Sequence, residues 1–175
     1  MSLIEKIGIG PEVSGQFVVD GVADGHAGFV LAALAADPAR TGPVLFIARD
    51  GQAIPALSEI VRFAAPGLPI LELPAWDCLP YDRVSPNPAI SATRMATLAA
   101  LAQGLAGPVI LLTTVAAATQ RLPAREVLRG ASLVASVGER VDEGRLRDFL
   151  ARMGFSPAAT VTEPGDYAVR GGIVD

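Results

Sequence analysis

Short apolar runs of β-forming residues alternate with alanine-rich stretches of helical length over the first 120 residues of this 175-residue chain. No other feature restricts its fold as much. The spacing predicts strands at 16–19, 44–48, 70–73 and 109–112, and helices near 25–36, 52–65, 91–103 and 115–122. The run Val44–Ala48 (VLFIA) is continuously apolar, as in a strand buried on both faces. Leu57, Ile60, Val61 and Ala64 fall on one side of the second helix, and Met95, Leu98, Leu101 and Leu105 are spaced for one face of the third. Prolines 74, 80, 86 and 88 block regular structure in the connection between the third strand and third helix. Strand–helix alternation implies parallel strands with right-handed crossovers, so the expected class is α/β.

Near residue 125 the pattern changes. A strand is expected at 131–137, then a helix capped by Asp142 and ending at Gly154. Two further strands, 159–163 and 167–170, flank the turn Pro164-Gly165-Asp166. This part reads as the beginning of an α+β domain that stops within a β pattern, with domain limits of 1–126 and 127–175.

Charge and composition narrow the function. Half of the residues are hydrophobic (51%), which excludes a disordered chain. The most apolar stretches, 28–36 and 108–118, are far shorter than the roughly 20 residues of a spanning helix. No apolar signal-peptide core follows Glu5 and Lys6. With the single cysteine Cys78 offering neither an internal disulfide nor a metal constellation, a cytoplasmic protein without a metal site is expected. Residues 1–120 hold ten acids against six bases and residues 121–175 hold eight of each, within a net charge of −4. A surface gripping DNA phosphates by itself shows an excess of base, so DNA binding by this stretch alone is not expected.

The glycine-rich run from Gly21 through Gly25, His26 and Ala27 to Gly28 lies where a phosphate-binding loop would precede a helix. That loop has the form G-x-x-x-x-G-K-[ST], and here His26, Ala27 and Gly28 occupy the glycine, lysine and hydroxyl positions. Without the cation and the magnesium ligand, nucleotide hydrolysis is not expected. His26, the only histidine, has no nucleophile and carboxylate that the sequence places beside it, so no catalytic residue is assigned. Asp77 and Asp82 read as turn formers among prolines. Trp76 and Tyr81 are the rings expected to pin the long proline-rich loop onto the sheet.

That loop carries a resemblance. Trp76, Leu79-Pro80-Tyr81-Asp82, Ser85-Pro86 and Arg94 resemble a motif of the bacterial transcription-repair coupling factor (Mfd) family. A second run, from Glu163 through Asp166-Tyr167-Ala168 and Arg170-Gly171 to Asp175, is similar to another motif of that family. The resemblance implies a module like the damage-verification protein UvrB. Residues 1–126 would be part of a helicase-like domain, a degenerate P-loop fold whose nucleotide site is lost, and 127–175 the start of an inserted domain that binds UvrA. Arg170 matches an arginine of that binding surface; Tyr167 fits either the same patch or the core. The family's ATP- and magnesium-dependent DNA translocase motor and its RNA polymerase-binding module lie elsewhere in the longer protein. Read without the resemblance, Arg170 is a solvated strand residue pairing with Asp166. The alternative function is a small α/β nucleotide-binding enzyme or phosphotransferase, which would need lysine at position 27.

Overall fold

In the computed structural model, residues 15–175 are described apart from Phe17, Asp24, Thr41 and Pro80. Three strands, β1 (Val44–Ala48), β2 (Ile70–Leu73) and β3 (Ile110–Thr114), form a parallel sheet in the order β1-β3-β2. The last strand in sequence is therefore the central one. Val44 and Ile70 both lie opposite Ile110, and Phe46 and Glu72 opposite Leu112, so these side chains share a face. Helices α1 (Ala27–Ala35) and α2 (Ile54–Ala64) contribute Leu31, Ala35, Leu57 and Val61 to one core cluster with Ile110 and Leu112, both 0% exposed. The class is α/β with a parallel sheet.

The apolar run of β1 is buried on one face only. Leu45 and Ile47 are 55% and 46% exposed, because β1 is an edge strand and α1 and α2 both pack into the cluster on the other face. The strand expected at 16–19 is not formed at Gln16, Val18 or Val19, and Phe17 lies outside the described residues. In α2 the buried face is Ile54, Leu57, Ser58 and Val61, whereas Ala64 is exposed. Ser58 earns its burial by donating its hydroxyl to Glu72 Oε1 at 2.6 Å. Across the sheet, Thr113 Oγ1 donates to Leu73 O at 2.8 Å.

Pro88 begins helix α3 (Pro88–Gln103) instead of preventing it. Proline has the right φ and needs no amide partner in a first turn, and Asn87 Oδ1 accepts the Ala89 amide at 2.8 Å. The buried positions of α3 are Arg94, Thr97, Leu98 and Ala102. Met95 is exposed and Leu105 lies beyond the helix end; the buried face is turned toward Arg94, whose guanidinium packs on Trp76. Strand β3 runs directly into α4 (Val115–Ala118), where Thr114 Oγ1 caps the Ala117 amide. This helix stops four residues before Leu122, and the Thr119 hydroxyl donates to the carbonyls of Val115 and Ala116.

By its contacts the chain divides into two compact units, one running through Ala75 and resuming over Gly104–Arg121, the other Trp76–Gln103 with Leu122–Asp175. In the second, α5 (Arg125–Gly130) offers Arg125 Nη2 to Leu101 O at 2.8 Å and Arg129 Nε to Ala102 O at 2.6 Å. Two guanidinium groups thus satisfy carbonyls at the C-terminal end of α3, where its dipole also favours positive charge. Helix α6 (Glu143–Arg152) is capped by Asp142, whose Oδ1 accepts the Arg145 amide at 2.8 Å. Gly154, at φ +84°, closes its far end, with the Phe155 amide on Leu150 O.

The expected strand at 131–137 is irregular. Its polar groups turn inward locally: Ser132 Oγ donates to Leu128 O, and the Ser136 amide donates to Glu139 Oε2. The stretch 159–163 is also irregular, since Asp166 Oδ2 accepts the Thr162 and Glu163 amides and folds it into a turn. In place of two longer strands there are β4 (Ser156–Pro157) parallel to β5 (Asp166–Tyr167), and β6 (Val169–Arg170) antiparallel to β7 (Ile173–Val174).

Candidate functional site

Three sets of residues singled out by the sequence can be placed. The first is the glycine-rich corner before α1. Gly21 and Gly25 take φ of +72° and +86°, backbone that side chains resist. Exposed His26 is the helix N-cap without a side-chain hydrogen bond, its ring 6.2 Å from that of Phe29. Ala27 is half-buried against the core cluster. Gly28 is buried where α1 meets α2, and a Cβ there would stand 2.5 Å from Ile60 Cγ2. A serine or threonine at position 28 would collide with that side chain, so the close helix crossing takes the space a magnesium-binding hydroxyl would need. Position 27 also carries alanine where the phosphate-loop pattern has lysine. Among the described residues 15–23 before the corner, none is in a strand.

The second set is the loop from Trp76 to Arg94. Arg94 is 1% exposed, its guanidinium carbon 4.4 Å from the Trp76 ring centroid. A desolvated cation over indole is worth about 2 kcal/mol. Burial lowers the Arg94 pKa below its usual value. Both Asp77 carboxylate oxygens accept the Asn87 amide, at 3.2 and 3.3 Å, which ties the ends of the loop together. Asp82 Oδ2 accepts the Leu79 amide at 2.7 Å in a tight turn. Tyr81 does not pin this loop: its ring is fully exposed, 103% relative to an open chain, on a backbone of φ +77°. Half-buried Trp76 is held by Arg94 of α3 in the same unit, so a helix residue does what the sheet was expected to do. Leu79 and Ser85 are exposed, Pro86 is half-buried, and Pro80 lies outside the described residues.

The third set is the closing hairpin. Arg170 sits on β6 with its side chain 61% exposed, and Nη2 donates to Asp175 Oδ2 at 2.5 Å. It does not pair with Asp166, which is occupied by Thr162 and Glu163. Tyr167 is half-buried on β5, its carbonyl accepting the Ala158 amide at 2.8 Å. Tyr167 and Arg170 lie on either side of Ala168, buried to 2% exposure and paired with Asp175 by two backbone hydrogen bonds. The structure does not draw the three sets into one pocket within either unit.

The sequence reading passed over Arg140, Arg145 and Arg152, which line a cavity of about 450 Å³ beside α6. The signal was available, since Arg145, Phe149 and Arg152 recur at helical spacing. Among the described residues no group of three His, Cys, Asp or Glu could hold a metal ion, and no helix is long and apolar enough to cross a membrane.

Fold and corner together define a class: a parallel α/β sheet protein with a glycine-rich entry to its first described helix. No protein-family model matches the chain. It is similar to the transcription-repair-coupling factor of Myxococcus xanthus, 32% identical over 99% of this chain and 14% of the relative. The factor of Escherichia coli K12 is 35% identical over 77% of this chain and 11% of the relative. That of Bacillus subtilis is 27% identical over 61% and 9%. Over the stretch it covers, the chain belongs to the transcription-repair-coupling factor family, and it spans 14% or less of the length of these relatives.

Proposed function

We propose that this chain is a non-catalytic recruitment module of a cytoplasmic transcription-repair coupling factor. In this reading residues 1–126 are a degenerate helicase-like domain and 127–175 the start of an inserted domain. The inserted domain binds UvrA and so brings nucleotide-excision repair to RNA polymerase stalled at DNA damage. ATP and magnesium, the DNA translocase activity and the polymerase contact are assigned to parts of the longer relatives outside this stretch. No cofactor is assigned here.

The observation that carries the reading is Arg170, an exposed guanidinium on a hairpin with one carboxylate partner. Arginine offers a planar, multidentate face to a partner's carboxylates and is enriched among interface hot spots. Its removal leaves no buried group unpaired, so binding and folding can be separated. UvrA titrated against a chain carrying the complete inserted domain should bind, and Arg170→Ala should weaken binding by about tenfold or more. Equal affinity of the two proteins would overturn the assignment. The phosphotransferase alternative meets alanine at position 27 and the Gly28–Ile60 crossing, and no observation favours it.

A further inference from the structure

We propose that the connection from β2 to α3 is a strap under backbone strain, held closed at its base by α3 and relaxing at its tip when that hold is released. The tip is Tyr81, whose φ of +77° is the one positive value on a residue other than glycine among the described residues. That conformation crowds Cβ against the neighbouring carbonyl oxygen, and for a bulky residue it is an outlier. Tyr81 stands third in a turn closed by Asp82, whose amide donates to Leu79 O at 3.1 Å and whose Oδ2 accepts the Leu79 amide at 2.7 Å. Glycine or asparagine suits a positive φ at this turn position. The Tyr81 ring is fully exposed, so ring packing within the described residues does not hold the turn.

The hold lies at the base, within one compact unit. Trp76 and Asp77, consecutive at the start of the strap, are each fastened to α3 or to the residue before it. The buried Arg94 guanidinium stands 4.4 Å from the Trp76 ring centroid, and the Asp77 carboxylate accepts the Asn87 amide. Asn87 in turn offers its Oδ1 to the Ala89 amide, so the same residue ends the strap and starts the helix. With both ends fixed, residues 78–86 reverse direction in a closed span, and the Leu79–Asp82 turn is part of that reversal. Strained backbone persists only where surrounding contacts over-determine it, and it gathers at segments that switch. Loss of either fastener therefore lets Tyr81 move to negative φ, which couples α3 to the tip of the strap.

The test uses the intact chain, in which Trp76 is the only tryptophan, so its fluorescence reports on the base of the strap. A positive φ brings the amide and α protons of one residue together, which gives Tyr81 a strong intraresidue NOE while the strap is closed. Asp77→Ala, at an exposed position, should raise acrylamide quenching of Trp76 and weaken that NOE. Arg94→Met should weaken the same NOE, and Asp77→Ala carries the test if the buried change unfolds the chain. Tyr81→Asn, which suits positive φ without the extra freedom of glycine, should slow exchange of the Asn87 amide about threefold. Added to Asp77→Ala, it should reverse part of the rise in quenching, a rescue of the base by a change at the tip. Asp142→Ala, which weakens the cap of α6, should leave both signals unchanged and so separates release of the strap from general destabilisation. An unaltered Tyr81 NOE in Asp77→Ala, or a Tyr81→Asn change that leaves the quenching of that variant as it was, would overturn the coupling and reduce the tip to a self-contained turn.

Discussion

The sheet region and residues 122–175 are held together by different physics. The sheet with α1 and α2 buries a cluster of eight side chains, two of them wholly inaccessible on the central strand. Residues 122–175 bury only Ala168, and neither α5 nor α6 has a buried residue. What holds them is polar: the local Asp142 cap, Gly154 closure and Asp166 turn, and two arginines that reach the end of α3. Hydrophobic burial scales with area and supplies kilocalories per side chain, whereas a cap or an exposed hydrogen bond contributes about 1 kcal/mol.

The comparison breaks most visibly at Leu112. Leu112→Ala on the central strand should cost about 2–5 kcal/mol in urea unfolding followed by circular dichroism. A loss below 1 kcal/mol would mean that the sheet is not the stability centre. Gly28→Ala should cost about 1–3 kcal/mol from overpacking against Ile60, and adding Ile60→Ala should recover part of that loss if the contact is direct. Additive effects of the two substitutions would refute the helix-crossing account of why position 28 has no hydroxyl. The smallest effect belongs to the other region. Asp142→Ala should cost about 1 kcal/mol and speed amide exchange in the first turn of α6, leaving exchange in β3 unchanged. Parallel loss of protection in both would show that the two regions open together.

Much of the secondary structure was legible because its signals are short-range. The run Val44–Ala48 and the strand at Ile70–Leu73 stand where the apolar pattern puts them. Asp142 and Gly154 bound α6 because capping depends on groups a few residues away. The errors fell where length or pairing mattered. Asn87 turned a proline block into a helix start at Pro88. The stretch 131–137 has a strand-like composition but no neighbouring strand to pair with among the described residues. The corner was legible in part: alanine at 27 and glycine at 28 could be read directly, whereas the approach of Ile60 to position 28 could not.

By itself the sequence determined the alternation that demands a parallel α/β sheet, the ends of α6, and the alanine and glycine at positions 27 and 28 of the glycine-rich corner. Tertiary structure alone decided that β3 is central, that β1 is covered on one face, and that Arg94 is buried under Trp76. It also decided that Arg125 and Arg129 end α3, and that three arginines line a cavity beside α6. The reason is range. Propensities, caps and motif residues act over a few positions of the chain, while burial and charge pairing depend on which faces meet once the chain has folded.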